Sequence, residues 1–163
     1  MSTSGDREAT VHADGDTETR RVAGRLGRAL RGGEVIALDG PLGAGKTTFT
    51  KGLAEGLGID PRDVTSPTFL LLHELSGRLH LFHLDAYRMG DAEELHELGG
   101  RDLFRRDSVV VIEWAERVAA FLPADRLNAE FDYVDEDSRS IRFRATGPGH
   151  EHLVAAIGTG EAS

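Results

Sequence analysis

A nearly continuous apolar run, Val35-Ile36-Ala37-Leu38, leads through Asp39 into the string GPLGAGKT, and a helical pattern resumes at Lys46. That succession predicts an α/β fold, a P-loop NTPase-like mixed sheet flanked by helices. Two later hairpin patterns make the sheet mixed rather than purely parallel. The 163 residues, 39% of them hydrophobic, suit one globular domain, and no apolar run approaches the ~20 residues of a membrane span.

Residues 1–16 are polar, without a basic start or an apolar segment, and read as a disordered leader rather than a signal peptide or anchor. From Thr17 to Leu30, Val22, Leu26 and Leu30 recur at helical spacing, with Ala23 and Ala29 beside them, and Gly32-Gly33 ends the pattern. Glu34 to Asp39 has the composition of a buried parallel strand. Gly40 to Gly45 forms the loop after it, and Lys46 to Leu57 continues as a helix. The segment IDPRDVTSPT is broken by Pro61 and Pro67 and reads as an exposed, mobile connection.

Strands follow over Phe69 to Leu75 and Arg78 to Asp85, joined by a turn at Ser76-Gly77. An exposed helix is expected over Asp91 to Leu98, a second buried strand over Val109 to Ile112, and a short helix over Ala115 to Phe121. Leu127 to Tyr133 and Arg139 to Ala145 read as strands around the acidic turn DEDS. The domain thus spans residues 17–146, with 147–163 as a C-terminal tail.

The chemistry concentrates at the glycine-rich loop. GPLGAGKT satisfies G-x-x-x-x-G-K-[ST] between a strand and a helix, the context that separates a site from an accidental glycine-rich turn. The backbone of Gly40, Pro41, Leu42, Gly43, Ala44 and Gly45 is expected to cradle phosphates at the helix N-terminus, with Lys46 reaching the outer phosphates. Thr47 is expected to coordinate magnesium, with Thr48 beside it.

Carboxylates must face such a loop from strand ends, and two do: Glu113 after VVVI and Asp85 after LHLFHL. Thr68, in TSPT, is the candidate sensor of the outer phosphate, although the segment also reads as a plain turn before a strand. His80 and His83, three apart on a strand, face opposite sides and so do not form a metal pair. His83 shares a face with Asp85 and is a candidate to orient it, an ordinary satisfied histidine being the alternative. Trp114, the sole tryptophan, is expected to pack near the site.

Without cysteine there are no disulfides or thiolate metal sites, and the cytoplasm is the default compartment. A net charge of -9 argues against a surface that neutralises nucleic-acid phosphates by itself, so any nucleic acid is engaged jointly or indirectly. The same balance also serves plain solubility.

Together LDGPLGAGKTT, VTSPTF, HLDAYR, VVVIEW and SRSIRF resemble, in order and spacing over Thr17 to Ala145, the bacterial TsaE (YjeE) family, the ATPases of tRNA threonylcarbamoyladenosine synthesis. The resemblance implies ATP hydrolysis, with magnesium, in support of a complex that modifies the adenosine beside the anticodon. It implies TsaB and TsaD proteins as partners, with tRNA engaged indirectly; the apolar pattern and the charge of the chain give no expectation of a membrane or DNA partner. The resemblance places the sensor on Thr68, the catalytic aspartate on Asp85, the acidic metal residue on Glu113 and a late nucleotide-side arginine on Arg139. The stretch Asp16 to Thr19 matches the part that approaches adenine. Pro41, where the family usually has Asp, and Ala86, where it usually has Leu, depart from the pattern.

Three rivals stay open on sequence alone. A small-molecule kinase shares the loop but needs an arginine-rich lid, for which Arg105-Arg106 is the one adjacent pair in the second half. A GTP switch lacks any NKxD or TKxD string to read guanine. A non-enzymatic ATP-binding scaffold shares most of the same residues.

Overall fold

The computed structural model describes residues 7–41, 43–64, 72–87, 97 and 103–161. Among the described residues seven strands form one mixed sheet in the order β1-β7-β6-β2-β5-β4-β3. They are β1 (Glu8–Asp14), β2 (Val35–Asp39), β3 (Leu72–Ser76), β4 (His80–Asp85), β5 (Ser108–Glu113), β6 (Leu127–Tyr133) and β7 (Ser138–Ala145). The α-helices with bounds among the described residues are α1 (Asp16–Ala29), α2 (Lys46–Gly56) and α3 (Glu151–Glu161). The central strands β4, β5, β2 and β6 run parallel, and antiparallel partners close both flanks.

Alternation of side chains across the pleat divides the core in two. Ile36, Leu38, Val109, Val111 and Leu81 face α1, α2 and α3, whose apolar stripes supply Val22, Leu26, Phe49, Leu53, Leu153 and Ile157. Val35, Ala37, Val110, Ile112 and Leu84 face the other way, onto Val118 and Leu122. Both faces of β5 are covered, so every one of its residues is buried. This is why it reads as an unbroken apolar run ending in one acid.

The chain departs from the sequence reading in four places. Residues Glu8–Asp14, expected within a disordered leader, form edge strand β1, paired with β7 from Glu8↔Arg144 to Asp14↔Ser138. Val11 and Ala13 point inward between exposed Thr10, His12 and Asp14, a period-two pattern muted by alanine. The segment expected as a tail carries a 3-10 turn (Pro148–His150) and α3. It is fastened where the Val35 N–H donates to His150 Nε2 (2.9 Å), while the opposite ring nitrogen lies 2.7 Å from Asp125.

The β3–β4 turn comprises residues 77–79 rather than Ser76-Gly77, because Ser76 pairs with His80. Arg78 leaves the strand to donate to the carbonyls of Gly27, Arg28 and Leu30 at the C-terminus of α1. The helix expected over Ala115 to Phe121 is a pair of 3-10 stretches meeting at a kink at Val118. Apart from Glu97, the helix expected over Asp91 to Leu98 lies outside the described residues. Among the described residues no helix is long and apolar enough to cross a membrane.

Candidate functional site

Sheet topology brings the C-terminal ends of β2, β4 and β5 to one edge, where the loop after β2 turns into α2. Gly40, Gly43 and Gly45 of the loop all have positive φ, which favours glycine. Gly40 sits at φ 147°, and a Cβ there would lie 2.6 Å from the Phe131 carbonyl oxygen. Gly45 caps α2 in the left-handed region, at φ 101° and ψ 16°, and frees the first N–H groups of the helix.

Lys46, at 5% exposure, folds back over the loop: its Nζ donates to the Gly40 (2.6 Å) and Pro41 (3.0 Å) carbonyls. The same ammonium lies 4.0 Å from the centroid of the Trp114 ring, a cation–π contact. Burial pushes the Lys46 pKa down, opposed by the charges of Glu113, Asp39, Asp85 and Glu116. Trp114 is itself left-handed (φ 59°), the sole non-glycine residue among those described with positive φ. Tyr87 packs on it with centroids 4.9 Å apart, and Arg117 lies 5.2 Å from the Tyr87 ring.

Thr47 Oγ1 faces both oxygens of Glu113, at 3.5 and 3.4 Å, long for a direct hydrogen bond. Glu113 is buried, and its Oε2 lies 2.6 Å from Nε2 of fully buried His83. Asp85 stands opposite Glu113 in the β4–β5 register and accepts the Tyr87 N–H at 2.8 Å. Burial raises the Asp85 pKa, the Tyr87 N–H opposes this, and Glu113 adds to it. His83 therefore bonds Glu113, whereas the sequence offered Asp85 as the carboxylate it would orient. The parallel register sets a diagonal contact that a single strand does not disclose.

Residues 13–141 match the model of the family described as Threonylcarbamoyl adenosine biosynthesis protein TsaE. The chain belongs to the TsaE family. The tRNA threonylcarbamoyladenosine biosynthesis protein TsaE of Bacillus subtilis is 44% identical over 141 residues, covering 86% of this chain and 87% of that one. The Streptomyces coelicolor protein of the same name is 44% identical over 144 residues, covering 85% and 96%. Among solved structures, that of Bacillus subtilis YdiB superposes with a TM-score of 0.80 at 34% identity, covering 95% of this chain and 97% of that one.

Within this TsaE-family chain the remaining site candidates fall into three groups. Thr68 and Leu42 lie outside the described residues. Thr48 is half-buried in the first turn of α2, next to Thr47. Arg139 is one residue removed from the loop: its guanidinium stacks 4.3 Å from the Tyr133 ring centroid and braces the β6–β7 turn through the carbonyls of Asp135, Glu136 and Ser138. The Tyr133 hydroxyl meets the loop, 2.9 Å from where a Cβ on Gly43 would stand.

The first turn of α1, at Asp16 to Thr19, flanks the loop, with the Thr19 methyl 3.9 Å from a Cβ built on Gly45. Tyr133, Tyr87 and Asp39 were not among the site residues expected from sequence. Asp39 ends β2 and accepts the Glu116 N–H at 2.9 Å, while burial raises its pKa against that bond. Its place at the end of a buried strand, immediately before the loop, was the available signal.

Proposed function

We propose that this protein is a magnesium-dependent ATPase. In this reading it supports, in the cytoplasm and with TsaB and TsaD proteins, formation of N6-threonylcarbamoyladenosine next to the tRNA anticodon. The observation that carries the reading is the convergence of the Lys46 ammonium, the Thr47 hydroxyl and the Glu113 carboxylate at the mouth of one left-handed glycine loop.

The donor set suits magnesium, since hydroxyl and carboxylate oxygens are hard ligands and the ion takes few protein ligands alongside phosphate oxygens. Thr47 and Glu113 would hold it, and when bound it would neutralise charge on the outer phosphates. Lys46 would exchange the Gly40 and Pro41 carbonyls for phosphate oxygens, a swap favoured because a charged acceptor outcompetes neutral ones. The loop N–H groups and the α2 N-terminus would hold the remaining phosphate oxygens.

Asp85 and Glu113, adjacent across β4 and β5, would orient the attacking water, with Thr68 as the proposed sensor. The arginine pair that a kinase lid would require, Arg105-Arg106, precedes β5. It therefore lies beyond the far end of a strand whose first residue, Ser108, stands roughly 17 Å from Glu113 at a rise of ~3.3 Å per residue.

The direct test is phosphate release and nucleotide titration of the purified chain, with and without magnesium and with and without TsaB and TsaD. Magnesium-dependent ATP turnover, unaffected by competing GTP, is expected. Transfer of the phosphoryl group to a small acceptor, or GTP binding in preference to ATP, would overturn the reading.

A further inference from the structure

Glu113 is not free to swing at the end of β5. His83 faces Val111 and Asp85 faces Glu113 across the parallel β4–β5 pair, so His83 and Glu113 are offset by two residues and share a face. It is the α2 face, the one onto which Leu81, Val109 and Val111 also point. The His83 ring has no exposed surface, and its Nε2 stands 2.6 Å from Glu113 Oε2. A carboxylate only accepts, so Nε2–H is the donor.

The geometry of the two side chains differs in what it leaves free. A glutamate at a strand end has three rotatable bonds, the last of them broad. A ring packed inside the sheet has almost none. The donor on Oε2 fixes the carboxylate plane and keeps both oxygens toward Thr47, Oε1 at 3.5 Å and Oε2 at 3.4 Å. Asp85 has an anchor of another kind, the Tyr87 N–H. The two acids are thus held independently, one by a buried ring and one by backbone.

We propose that His83 is a positioning residue for the magnesium and water chemistry: it touches neither metal nor nucleotide, and it aims the Glu113 carboxylate at Thr47 and the phosphate loop. The inference rests on the magnesium-ATPase reading. Outer partners of metal-binding carboxylates act in this way, and their loss costs about 10- to 100-fold in metal affinity or activity. A buried pair serving stability alone would instead change the melting temperature and leave magnesium dependence intact.

Three variants separate these roles. His83→Phe keeps a ring of similar volume and removes the donor. His83→Asn keeps an amide too short to reach Oε2 and replaces the Phe variant should that not fold. His83→Gln places an amide N–H at the reach of Nε2. Each is measured for thermal unfolding, for ADP affinity by calorimetry in EDTA and in magnesium, and for single-turnover hydrolysis. Each is also combined with Glu113→Gln.

For the donor-less variant, ADP affinity in EDTA is expected to stay within about twofold of wild type, while turnover and the gain in affinity on adding magnesium fall about tenfold or more. His83→Gln is expected to recover most of both. On the Glu113→Gln background, losing His83 is expected to slow turnover no further, because His83 acts through Glu113. Wild-type magnesium dependence in the donor-less variant, failure of the Gln variant to rescue, or fully multiplicative losses in the double variant would each overturn the proposal. If the wild-type chain shows no magnesium-dependent nucleotide binding, the ATPase reading fails first and takes this inference with it.

Discussion

Lys46 illustrates how one side chain is held by groups that the proposed nucleotide would replace. Two carbonyls and the Trp114 ring share its charge. Lys46→Ala is expected to weaken ATP binding by roughly 1.5 to 3 kcal/mol, the range for a hydrogen bond to a charged group. Calorimetry of a folded variant with unchanged affinity would remove the loop from the site. Asp85 shows the reverse economy, since burial raises its pKa and its ionised form is disfavoured in the fold. A carboxyl with a raised folded pKa lowers stability as pH climbs from the unfolded value, about 3.9, to the folded one, and the penalty is constant above that. Asp85→Asn is therefore expected to lose turnover yet melt higher at pH 7. Half-exposure limits the gain to less than about 1 kcal/mol, or up to about 3 °C. The gain should vanish near pH 4, and a lower melting point at pH 7 would show that the ionised form is favoured instead.

At the scale of elements, the position of the site depends on how closely α1 approaches α2. The two helices pack backbone against backbone: a Cβ on Gly52 would lie 2.5 Å from the Arg20 carbonyl oxygen, and one on Gly56 2.6 Å from that of Gly24. Gly52→Ala gains about 1 kcal/mol of helix propensity, but overpacking against rigid backbone costs about 1 to 3 kcal/mol. A net loss of up to about 2 kcal/mol is expected, with weaker nucleotide binding because α2 begins at Lys46. Gly24→Ala is the control, since its Cβ would meet nothing closer than 3.5 Å, and it should melt at or above the wild-type temperature. Equal melting points for the two variants would refute the close-packing argument. These elements were legible because apolar spacing repeats within each of them. The loop, Glu113 and Asp85 were legible because they follow apolar runs. What sequence concealed depends on register between strands or on docking of distant segments: His83 meeting Glu113, Tyr133 meeting Gly43, and Arg78 leaving its strand for the end of α1.

Across the whole molecule, β1 closes one edge of the sheet on which the site stands, and α3 covers one of its faces. β1 covers the outer edge of β7; its Val11 joins the core opposite Ile141, and its half-buried Ala9 packs against that core opposite Phe143. Phe143 lies 5.9 Å from Phe49 of α2, which meets Phe131 edge-on at 5.6 Å, so the packing under β1 continues to the helix that carries Lys46 and Thr47. Asp14 accepts the Ser138 hydroxyl at 2.6 Å, and Arg7 pairs with Glu151 of α3 at 3.1 Å. Directly after β1, the first turn of α1 flanks Gly45. A variant lacking residues 1–14 would lose the buried Val11, worth about 1.5 to 3 kcal/mol, together with ladder hydrogen bonds of about 0.5 to 1.5 kcal/mol each. It would also expose the edge of β7 as a template for aggregation. The expected result is a loss of at least about 3 kcal/mol, a melting point lower by roughly 6 °C or more, and weaker magnesium-nucleotide binding through the displaced first turn of α1. Thermal unfolding and calorimetry on the truncated chain check both effects. An unchanged melting point with unchanged affinity would return residues 8–14 to the role of a leader that the fold does not need.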